Sequence, residues 1–257
     1  MFRKINGKNI AVDVFGEGEA LLLIHGLGGS SNSWRPLINE FSGNFKIIAP
    51  DLPSAAGSEL DPELSISSLA HDMISLLDEM DIEKAHIVGH SMGTIVCQHM
   101  AAIAPKKVID LILLGPLAQP PEPARAALQD RAALARSEGM TAIADTIADV
   151  ALSKETKLKM ANVQGFVREM IIRQNPEGYA QSCNALSKAT QADPTLIKCP
   201  CLLITGDEDV VAPEANVEVL CQQLPDAEMH VLQQCGHWTA TEKPTEVNGY
   251  VRNFYKL

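Results

Sequence analysis

Short, nearly continuous apolar runs constrain the fold of this chain more than any other feature of its sequence. Such runs are typical of strands that are buried on both faces of a parallel sheet. An alternating apolar and polar stretch at residues 10–15 precedes them, as in an outer strand with one solvent-facing side. We therefore expect a parallel sheet that carries an outer strand. The runs are rich in Ile, Leu and Val and lie at residues 20–25, 45–49, 85–89, 108–114 and 201–205.

Helical patterns separate these predicted strands. Apolar residues recur at spacings of three and four over residues 66–80, and a second apolar stretch at residues 92–104 stops at Pro105. Near the end, Pro244 suits the first turn of a last helix. Because strands and helices alternate along the chain, the sequence predicts an α/β fold with helices packed against the sheet.

One long segment, residues 117–193, interrupts this alternation. It opens with the proline-rich stretch at residues 119–123 and continues as Ala-rich helical sequence without a convincing buried strand. A crossover between parallel strands needs only about a dozen residues. We therefore predict an α/β core formed by residues 1–116 and 194–257, and a helical cap formed by residues 117–193. A plain set of crossover helices is the alternative.

Charge and cysteine content narrow the class of protein. Asp and Glu outnumber Lys and Arg by 32 to 21, which gives a formal net charge of -11. This charge argues against nucleic acid or an anionic membrane as a partner, but not against a small anionic substrate.

The six cysteines are expected to be reduced thiols. With no apolar signal segment and no spanning run of about 18 apolar residues, the chain is expected in the cytoplasm. The oligomeric state stays open, with a homodimer as one alternative.

The segment G-H-S-M-G at residues 89–93 joins a predicted strand to a predicted helix. It matches the G-x-S-x-G pattern in the strand-turn-helix context that this motif requires. Its glycines let the backbone turn sharply and place the Ser91 hydroxyl above the edge of the sheet. The start of the following helix offers free N–H groups and a positive dipole end. Ser91 is therefore a candidate nucleophile, and a tight turn with a capping serine is the plainer alternative.

A serine hydroxyl needs a general base within reach, and that base needs an acceptor that fixes its tautomer. His237 follows the last predicted strand and precedes the final helix, so it lies on a loop at the edge of the sheet. Three acids at residues 207–209 follow the predicted strand at residues 201–205 and compete as the acceptor. A serine, an acid and a histidine, each placed after a strand, together predict a catalytic triad.

The loop H-G-L-G-G at residues 25–29 follows another predicted strand. Its glycines allow the main chain to approach a ligand closely while presenting N–H groups. We expect the backbone N–H groups of Leu27 and Met92 to hold the oxyanion of a tetrahedral intermediate. A phosphate-binding loop is disfavoured, because no G-K-[ST] follows and no G-x-G-x-x-G is present.

On these residues the chain resembles the α/β-hydrolase family over essentially its whole length. The family spacing G-x-x-D-x-x-x-P selects Asp209 over Asp207 as the triad acid. The resemblance implies a mostly parallel eight-stranded sheet with flanking helices and a helical cap after the sixth strand, which matches residues 117–193. Within the family, the segments at residues 133–145 and 175–180 look like those of 3-oxoadipate enol-lactonases.

This resemblance implies a serine hydrolase that acts on a small carboxylic ester or lactone through Ser91, Asp209 and His237. Because position 91 is Ser rather than Asp, a haloalkane dehalogenase or an epoxide hydrolase is disfavoured. Three alternatives stay open: a carbon–carbon bond hydrolase, a cofactor-free perhydrolase, and a ligand receptor with vestigial activity. The exact substrate also stays open.

Several residues are candidates for the walls of the substrate pocket. Trp34, Trp238, Phe166 and Met170 could line an acyl pocket, although each also suits the core. Arg125 is the first choice for a clamp on a substrate carboxylate. No group of residues has metal-ligand spacing and no cofactor motif is present, so neither a metal nor a cofactor is expected. The basic cap residues from which the clamp is drawn are Arg125, Arg131, Arg136, Arg168 and Arg173.

Overall fold

The computed structural model describes residues 1–257, and its centre is one sheet of eight strands. Their order across the sheet is β1-β2-β4-β3-β5-β6-β7-β8, with β1/β2 and β2/β4 antiparallel and every other pair parallel. The mostly parallel eight-stranded sheet that the resemblance implied is confirmed. The strands are β1 (Phe2–Ile5), β2 (Lys8–Phe15), β3 (Glu19–Ile24), β4 (Phe45–Pro50), β5 (Ala85–His90), β6 (Val108–Leu114), β7 (Cys201–Gly206) and β8 (Ala227–Leu232).

Helices flank this sheet and fill the long segment between β6 and β7. They are α1 (Arg35–Phe41), α2 (Ile66–Glu79), α3 (Met92–Ile103), α4 (Glu122–Glu138), α5 (Thr141–Val150), α6 (Lys154–Lys159), α7 (Ala161–Ile172), α8 (Pro176–Ser187), α9 (Glu214–Gln223), α10 (Thr239–Glu242) and α11 (Pro244–Tyr255). The five helices α4 to α8 all lie within residues 117–193, which we call the helical insertion. None of the helices combines the length and the apolar character that crossing a lipid bilayer requires.

Apolar side chains are buried on both faces of the sheet. Every residue of β5 and of β7 is buried, and successive residues of a strand point to opposite faces. In β3, Leu22 and Ile24 belong to one apolar cluster, whereas Leu21 and Leu23 belong to another. Burial on both faces is the reason that these strands have continuous rather than alternating apolar sequence.

The direction of the strands brings four loops to one edge of the sheet. Because β3, β5, β7 and β8 run parallel, the loops that follow them emerge on the same side. These loops contain residues 25–29, Ser91, residues 207–213 and residues 233–238. The helical insertion leaves β6 at this edge as well. The topology therefore gathers distant parts of the sequence around Ser91.

A buried histidine–aspartate pair lies at the opposite edge. His86 Nδ1 is 2.6 Å from Asp110 Oδ2, and the rings of Phe45 and Tyr255 pack against His86 at centroid distances of 5.3 and 4.9 Å. Burial alone would lower the pKa of His86, but the hydrogen bond and charge of Asp110 outweigh it and raise that pKa above its ordinary value. The pair therefore favours the folded state while the imidazole is charged.

We expect Asp110→Asn to reduce stability most at mildly acidic pH. Because the folded-state pKa of His86 is raised, its contribution is complete below the ordinary histidine pKa of about 6.5 and is lost as pH rises through the raised value. Denaturant unfolding should show a loss of about 1–3 kcal/mol near pH 6 that shrinks towards pH 9. Asp226→Asn, at an exposed acid just before β8, is the control. A loss that does not vary with pH would contradict this account.

Candidate active site

Ser91 lies at a sharp turn between β5 and α3, with backbone angles of φ 53° and ψ -123°. This conformation is rare for a residue with a side chain and costs about 1–3 kcal/mol. Hydrogen bonds hold it in place: the Ser91 N–H donates to Leu114 O at 3.0 Å, and Ser91 O accepts from the Thr94 N–H at 2.8 Å. The turn presents the Ser91 hydroxyl at the edge where the parallel strands end.

Three glycines allow the chain to pack closely around this turn. A Cβ at Gly93 would lie 2.2 Å from the carbonyl oxygen of Ile24, and one at Gly26 would lie 2.7 Å from Cβ of Ser91. A Cβ at Gly89 would lie 2.5 Å from a side chain of α3. None of these glycines has a positive φ. Close approach of neighbouring chain, rather than backbone freedom, therefore requires glycine here.

His237 and Asp209 form a buried pair beside Ser91. His237 Nδ1 is 2.8 Å from Asp209 Oδ2, and Asp209 Oδ1 accepts the N–H groups of Val211 and Ala212, each at 2.8 Å. Burial alone would raise the pKa of Asp209, but the charge and hydrogen bond of His237 and the two N–H groups outweigh it and lower that pKa. The ionised carboxylate therefore holds the proton of neutral His237 on Nδ1 and leaves a lone pair on Nε2.

The two acids next to Asp209 have other partners. Asp207 Oδ1 accepts the N–H of Cys235 at 3.1 Å, and Glu208 Oε2 accepts the N–H of Lys154 at 3.0 Å. Asp209 is thus the acid that contacts His237, whereas Asp207 and Glu208 hold the backbone at Cys235 and at Lys154. This placement agrees with the spacing argument made from the sequence.

Ser91 and His237 face one cavity of about 310 Å³. His237 Nε2 is buried and makes no hydrogen bond within the chain. The bond between Ser91 Oγ and this nitrogen, which proton transfer requires, is not formed here, and such bonds often tighten only when substrate is bound. The arrangement places a serine hydroxyl and an unpaired imidazole nitrogen at the same cavity.

Two backbone N–H groups near Ser91 are free to hold an oxyanion. The N–H of Leu27 donates no hydrogen bond, and Leu27 lines the cavity. Met92 is the first residue of α3, where N–H groups have no acceptor within the helix. Gly26, which precedes Leu27, lies against Ser91. The structure therefore places both predicted donors next to the serine.

Two further histidines are held in the neutral form around the site. His25 Nδ1 donates to Gly26 O at 2.8 Å while its Nε2 accepts the Leu52 N–H at 2.9 Å, and burial lowers the pKa of His25. Burial and the charge that His237 can carry lower the pKa of His90 to about 3. His90 Nε2 donates to the carbonyl oxygen of His237 at 2.9 Å. His90 therefore positions the backbone of His237 without competing as a base.

Gly115, directly after β6, makes room for the ring of His237. Its φ is 54°, and a Cβ there would lie 2.9 Å from His237 Nδ1 and 3.0 Å from Cε1. Neither Gly115 nor His90 was singled out from the sequence. The sequence contains only slight indications of their roles. Gly115 is a glycine at the end of a predicted strand, and His90 occupies a variable position of the motif at residues 89–93.

Both the core and the helical insertion line the cavity, and the lining is mostly hydrophobic. One lining residue carries a full charge, namely Arg131 in α4, whose side chain is half-buried. It is the only one of the eight arginines without a carboxylate partner. The hydrophobic lining includes Leu27, Val211 and Trp238 from the core and Leu128, Ile147 and Leu186 from the insertion.

Arg125, the first choice for a carboxylate clamp, lies elsewhere. Its guanidinium donates to Ser187 O at 2.6 Å and to Ala189 O at 2.7 Å. It therefore ties α4 to the end of α8 and does not line the cavity of Ser91. The assignment of Arg125 to substrate binding is corrected accordingly, and Arg131 takes its place as the cavity's arginine.

The predicted aromatic residues are divided among different environments. Trp238 lines the cavity of Ser91. Trp34 is buried next to His90 and Trp238 without lining that cavity. Phe166 and Met170 line a separate cavity of about 290 Å³ against α7. The assignment of Trp34 and Phe166 to the substrate pocket is therefore corrected, because an aromatic residue in the sequence suits the core as well as a pocket, and only the packing shows which cavity it meets.

Comparison with known proteins agrees with the fold. The model of the alpha/beta hydrolase family matches residues 21–249, so the chain belongs to that family. The 3-oxoadipate enol-lactonase 2 of Acinetobacter baylyi is 29% identical over 248 residues, which cover 94% of this chain and 91% of that protein. The 2-hydroxy-6-oxo-6-phenylhexa-2,4-dienoate hydrolase of Burkholderia cepacia is 28% identical over 263 residues, which cover 93% and 88%.

A solved structure extends this comparison. A thermophilic esterase from Thermogutta terrifontis has a TM-score of 0.94 and 25% identity, covering 100% of this chain and 98% of that one. The chain is thus an α/β hydrolase similar to enol-lactonases, which confirms the resemblance drawn from the sequence. The names of these proteins include an enol-lactonase, a dienoate hydrolase and an esterase, so the particular reaction is a separate question.

We expect Gly115→Ala to lower kcat for ester hydrolysis by roughly 10- to 100-fold. The added methyl group would displace the His237 ring, and a shift of about 1 Å in a reacting group can cost about 10²-fold. Gly139→Ala is the matched control, because Gly139 also has a positive φ of 78° but a Cβ there meets nothing within 4 Å. Thermal unfolding should show a loss for both variants, because alanine is strained at a positive φ, and a larger loss for Gly115→Ala, whose Cβ also meets His237. Equal rates in the two would show that His237 does not depend on the space at Gly115.

Proposed function

We propose that the protein is a serine hydrolase that cleaves a small carboxylic ester or lactone through an acyl-enzyme. One observation carries the proposal: His237 is bound to buried Asp209 at 2.8 Å and keeps Nε2 unpaired beside the cavity of Ser91. A neutral imidazole with one nitrogen fixed and the other free is the base that a serine hydroxyl needs near neutral pH.

In the first half of the proposed reaction, His237 Nε2 takes the proton of Ser91 while Oγ bonds to the substrate carbonyl carbon. The oxyanion accepts hydrogen bonds from the N–H groups of Leu27 and Met92, at the positive end of α3. The intermediate then loses its alcohol oxygen, which takes the proton from His237. Asp209 stabilises the imidazolium while it exists.

In the second half, His237 removes a proton from a water molecule that attacks the acyl carbonyl carbon. Collapse of this second intermediate breaks the bond to Oγ, returns the proton to Ser91 and releases the acid. When the substrate is a lactone, the alcohol stays attached to the acyl group until this step. Acid and alcohol then leave as one molecule.

The charges of the cavity favour a substrate that carries a carboxylate. Arg131 is the only arginine, lysine, aspartate or glutamate among the lining residues. A guanidinium without a carboxylate partner in the protein presents a planar set of donors that matches a substrate carboxylate. The apolar lining suits the hydrocarbon part of such a substrate. The relative named for 3-oxoadipate, a carboxylate, is consistent with this substrate class.

Cleavage of a carbon–carbon bond in a diketone acid is the second candidate reaction. The likeness to the 2-hydroxy-6-oxo-6-phenylhexa-2,4-dienoate hydrolase of Burkholderia cepacia favours it, and the same triad would serve. A panel of p-nitrophenyl esters, γ- and δ-lactones and a diketone acid separates the two. Turnover of the diketone acid alone would support the second candidate, and tight binding without turnover would point to a receptor.

Covalent labelling tests the nucleophile. We expect a fluorophosphonate to label the wild-type protein at Ser91, as located by peptide mass spectrometry. Ser91→Ala should abolish the label and lower kcat for p-nitrophenyl acetate by a factor on the order of 10⁶, since triad members act as a unit. The thermal midpoint should stay close to that of the wild type. Ser137→Ala, at an exposed serine of α4, is the control. Labelling at another residue, or turnover by Ser91→Ala, would refute the mechanism.

Paired esters test the substrate class. We expect Arg131→Gln to lower kcat/KM for p-nitrophenyl hemisuccinate by about 10- to 100-fold, the loss expected for a hydrogen-bonded charge pair. Hydrolysis of neutral p-nitrophenyl acetate should change little. Arg136→Gln is the matched control, because Arg136 lies on the same helix but is exposed and paired with Glu177 at 2.7 Å. Equal losses on both esters would argue against a carboxylate site at Arg131.

A further inference from the structure

One short stretch of the helical insertion lies directly on the loop that carries His237. The stretch comprises residues 151–156, which are the connection between α5 and α6 and the first residues of α6, and we call it the bridge. The His237 N–H donates to the carbonyl oxygen of Ala151 at 2.8 Å. A Cβ at Gly236 would lie 2.7 Å from both Ala151 O and Ser153 N. The insertion therefore contacts the backbone of the proposed base as well as covering the cavity.

The carboxylate of Glu242 joins the two sides of this contact. On the catalytic loop, Glu242 Oε1 accepts the N–H of Trp238, next to His237, at 3.1 Å. On the bridge, Oε2 accepts the N–H of Ser153 and the hydroxyl of Thr156, each at 2.8 Å. Without this carboxylate, buried polar groups on both sides would lose their partner. One side chain thus holds the bridge and the loop at a fixed separation.

Glu242 is buried, with 2% of its surface exposed, and forms no ion pair with a lysine or arginine. Its neighbour Lys243 pairs instead with Glu155, at 2.8 Å. A buried carboxylate is costly unless hydrogen-bond donors compensate it. The three donors around Glu242 supply this compensation, so moving the bridge away would leave a buried charge poorly solvated. The contact therefore resists small displacements.

We propose that Glu242 is a positioning residue that couples the placement of the helical insertion to the alignment of His237. The proposal rests on the serine hydrolase function proposed above. When the bridge is in contact with the loop, Glu242 and Ala151 hold the backbone at residues 237 and 238, and the His237 side chain stays oriented towards the cavity of Ser91. When the bridge is displaced, the same bonds release that backbone. Neither Glu242 nor Thr156 lines the cavity, so the effect should fall on kcat rather than on KM.

Substitutions on the two sides of the contact test this coupling. Glu242→Gln keeps the shape but turns an amide N–H₂ towards groups that are themselves donors. Thr156→Val removes the hydroxyl from the bridge, and Thr156→Ser retains it. The fluorophosphonate labelling endpoint counts the correctly folded sites in each preparation. The labelling rate and kcat for p-nitrophenyl acetate, each expressed per labelled site, then measure how well His237 serves as a base.

We expect Glu242→Gln and Thr156→Val to lower both rates by roughly 10-fold or more per labelled site, with KM within about twofold of the wild type. Thr156→Ser should restore both rates. Lys243→Met is the matched control, because it removes the half-buried ion pair with Glu155 at the same boundary and leaves the three hydrogen bonds of Glu242 in place. If Glu242→Gln does not fold, the two Thr156 variants decide the question by themselves.

Two results would overturn the proposal. Wild-type rates per labelled site in Thr156→Val would show that the bridge does not influence His237. Equal slowing of Thr156→Ser and Thr156→Val would show that the hydroxyl bound to Glu242 is not what matters. Absence of labelling and turnover in the wild type would instead refute the proposed function, on which this inference depends.

Discussion

The strained turn at Ser91 is the constraint on which the rest of the structure depends. A backbone with φ of 53° persists only when its surroundings compensate about 1–3 kcal/mol of strain. That compensation comes from β5, which is buried along its whole length between β3 and β6, and from glycine contacts that bring the neighbouring chain against the turn. A strand that is buried along its whole length thus carries the proposed nucleophile at its end. Because its neighbours run parallel to it, their following loops reach the same place.

The site residues that were predictable from the sequence share one property, which is that each follows a strand of the parallel part of the sheet, and two of these strands, β5 and β7, are buried along their whole length. Ser91 follows β5, Asp209 follows β7 and His237 follows β8. A strand buried on both faces is recognisable as a continuous apolar run, so its end can be located from local sequence. The order of the three residues and the glycines near the serine indicate their chemistry, and the spacing typical of the resembled family selects Asp209 among the three acids at residues 207–209. No long-range contact had to be known in advance.

The residues that the sequence did not reveal depend on contacts between distant segments. Arg125 and Arg131 lie in the same helix and in similar local sequence, but six positions correspond to about 1.7 turns, so they face different directions. Only the packing of α4 against α8 determines which of them meets the cavity. Glu242 contacts residues far away in the sequence; Ser153, for example, lies 89 positions earlier in the chain. No periodicity or motif spacing encodes such a contact.

The bridge also limits which part of the helical insertion can be replaced by the corresponding segment of a related protein. Replacing residues 117–193 as one block would leave Ser91, Asp209 and His237 untouched but would remove the groups bound by Glu242 and Gly236 from the other side. A graft joined on either side of the bridge, within residues 117–150 and 157–193, would keep those groups native. The segments that can be exchanged are therefore shorter than the whole insertion between β6 and β7. A chimera that replaces all of residues 117–193 would have foreign residues at the contact with Glu242 and Gly236.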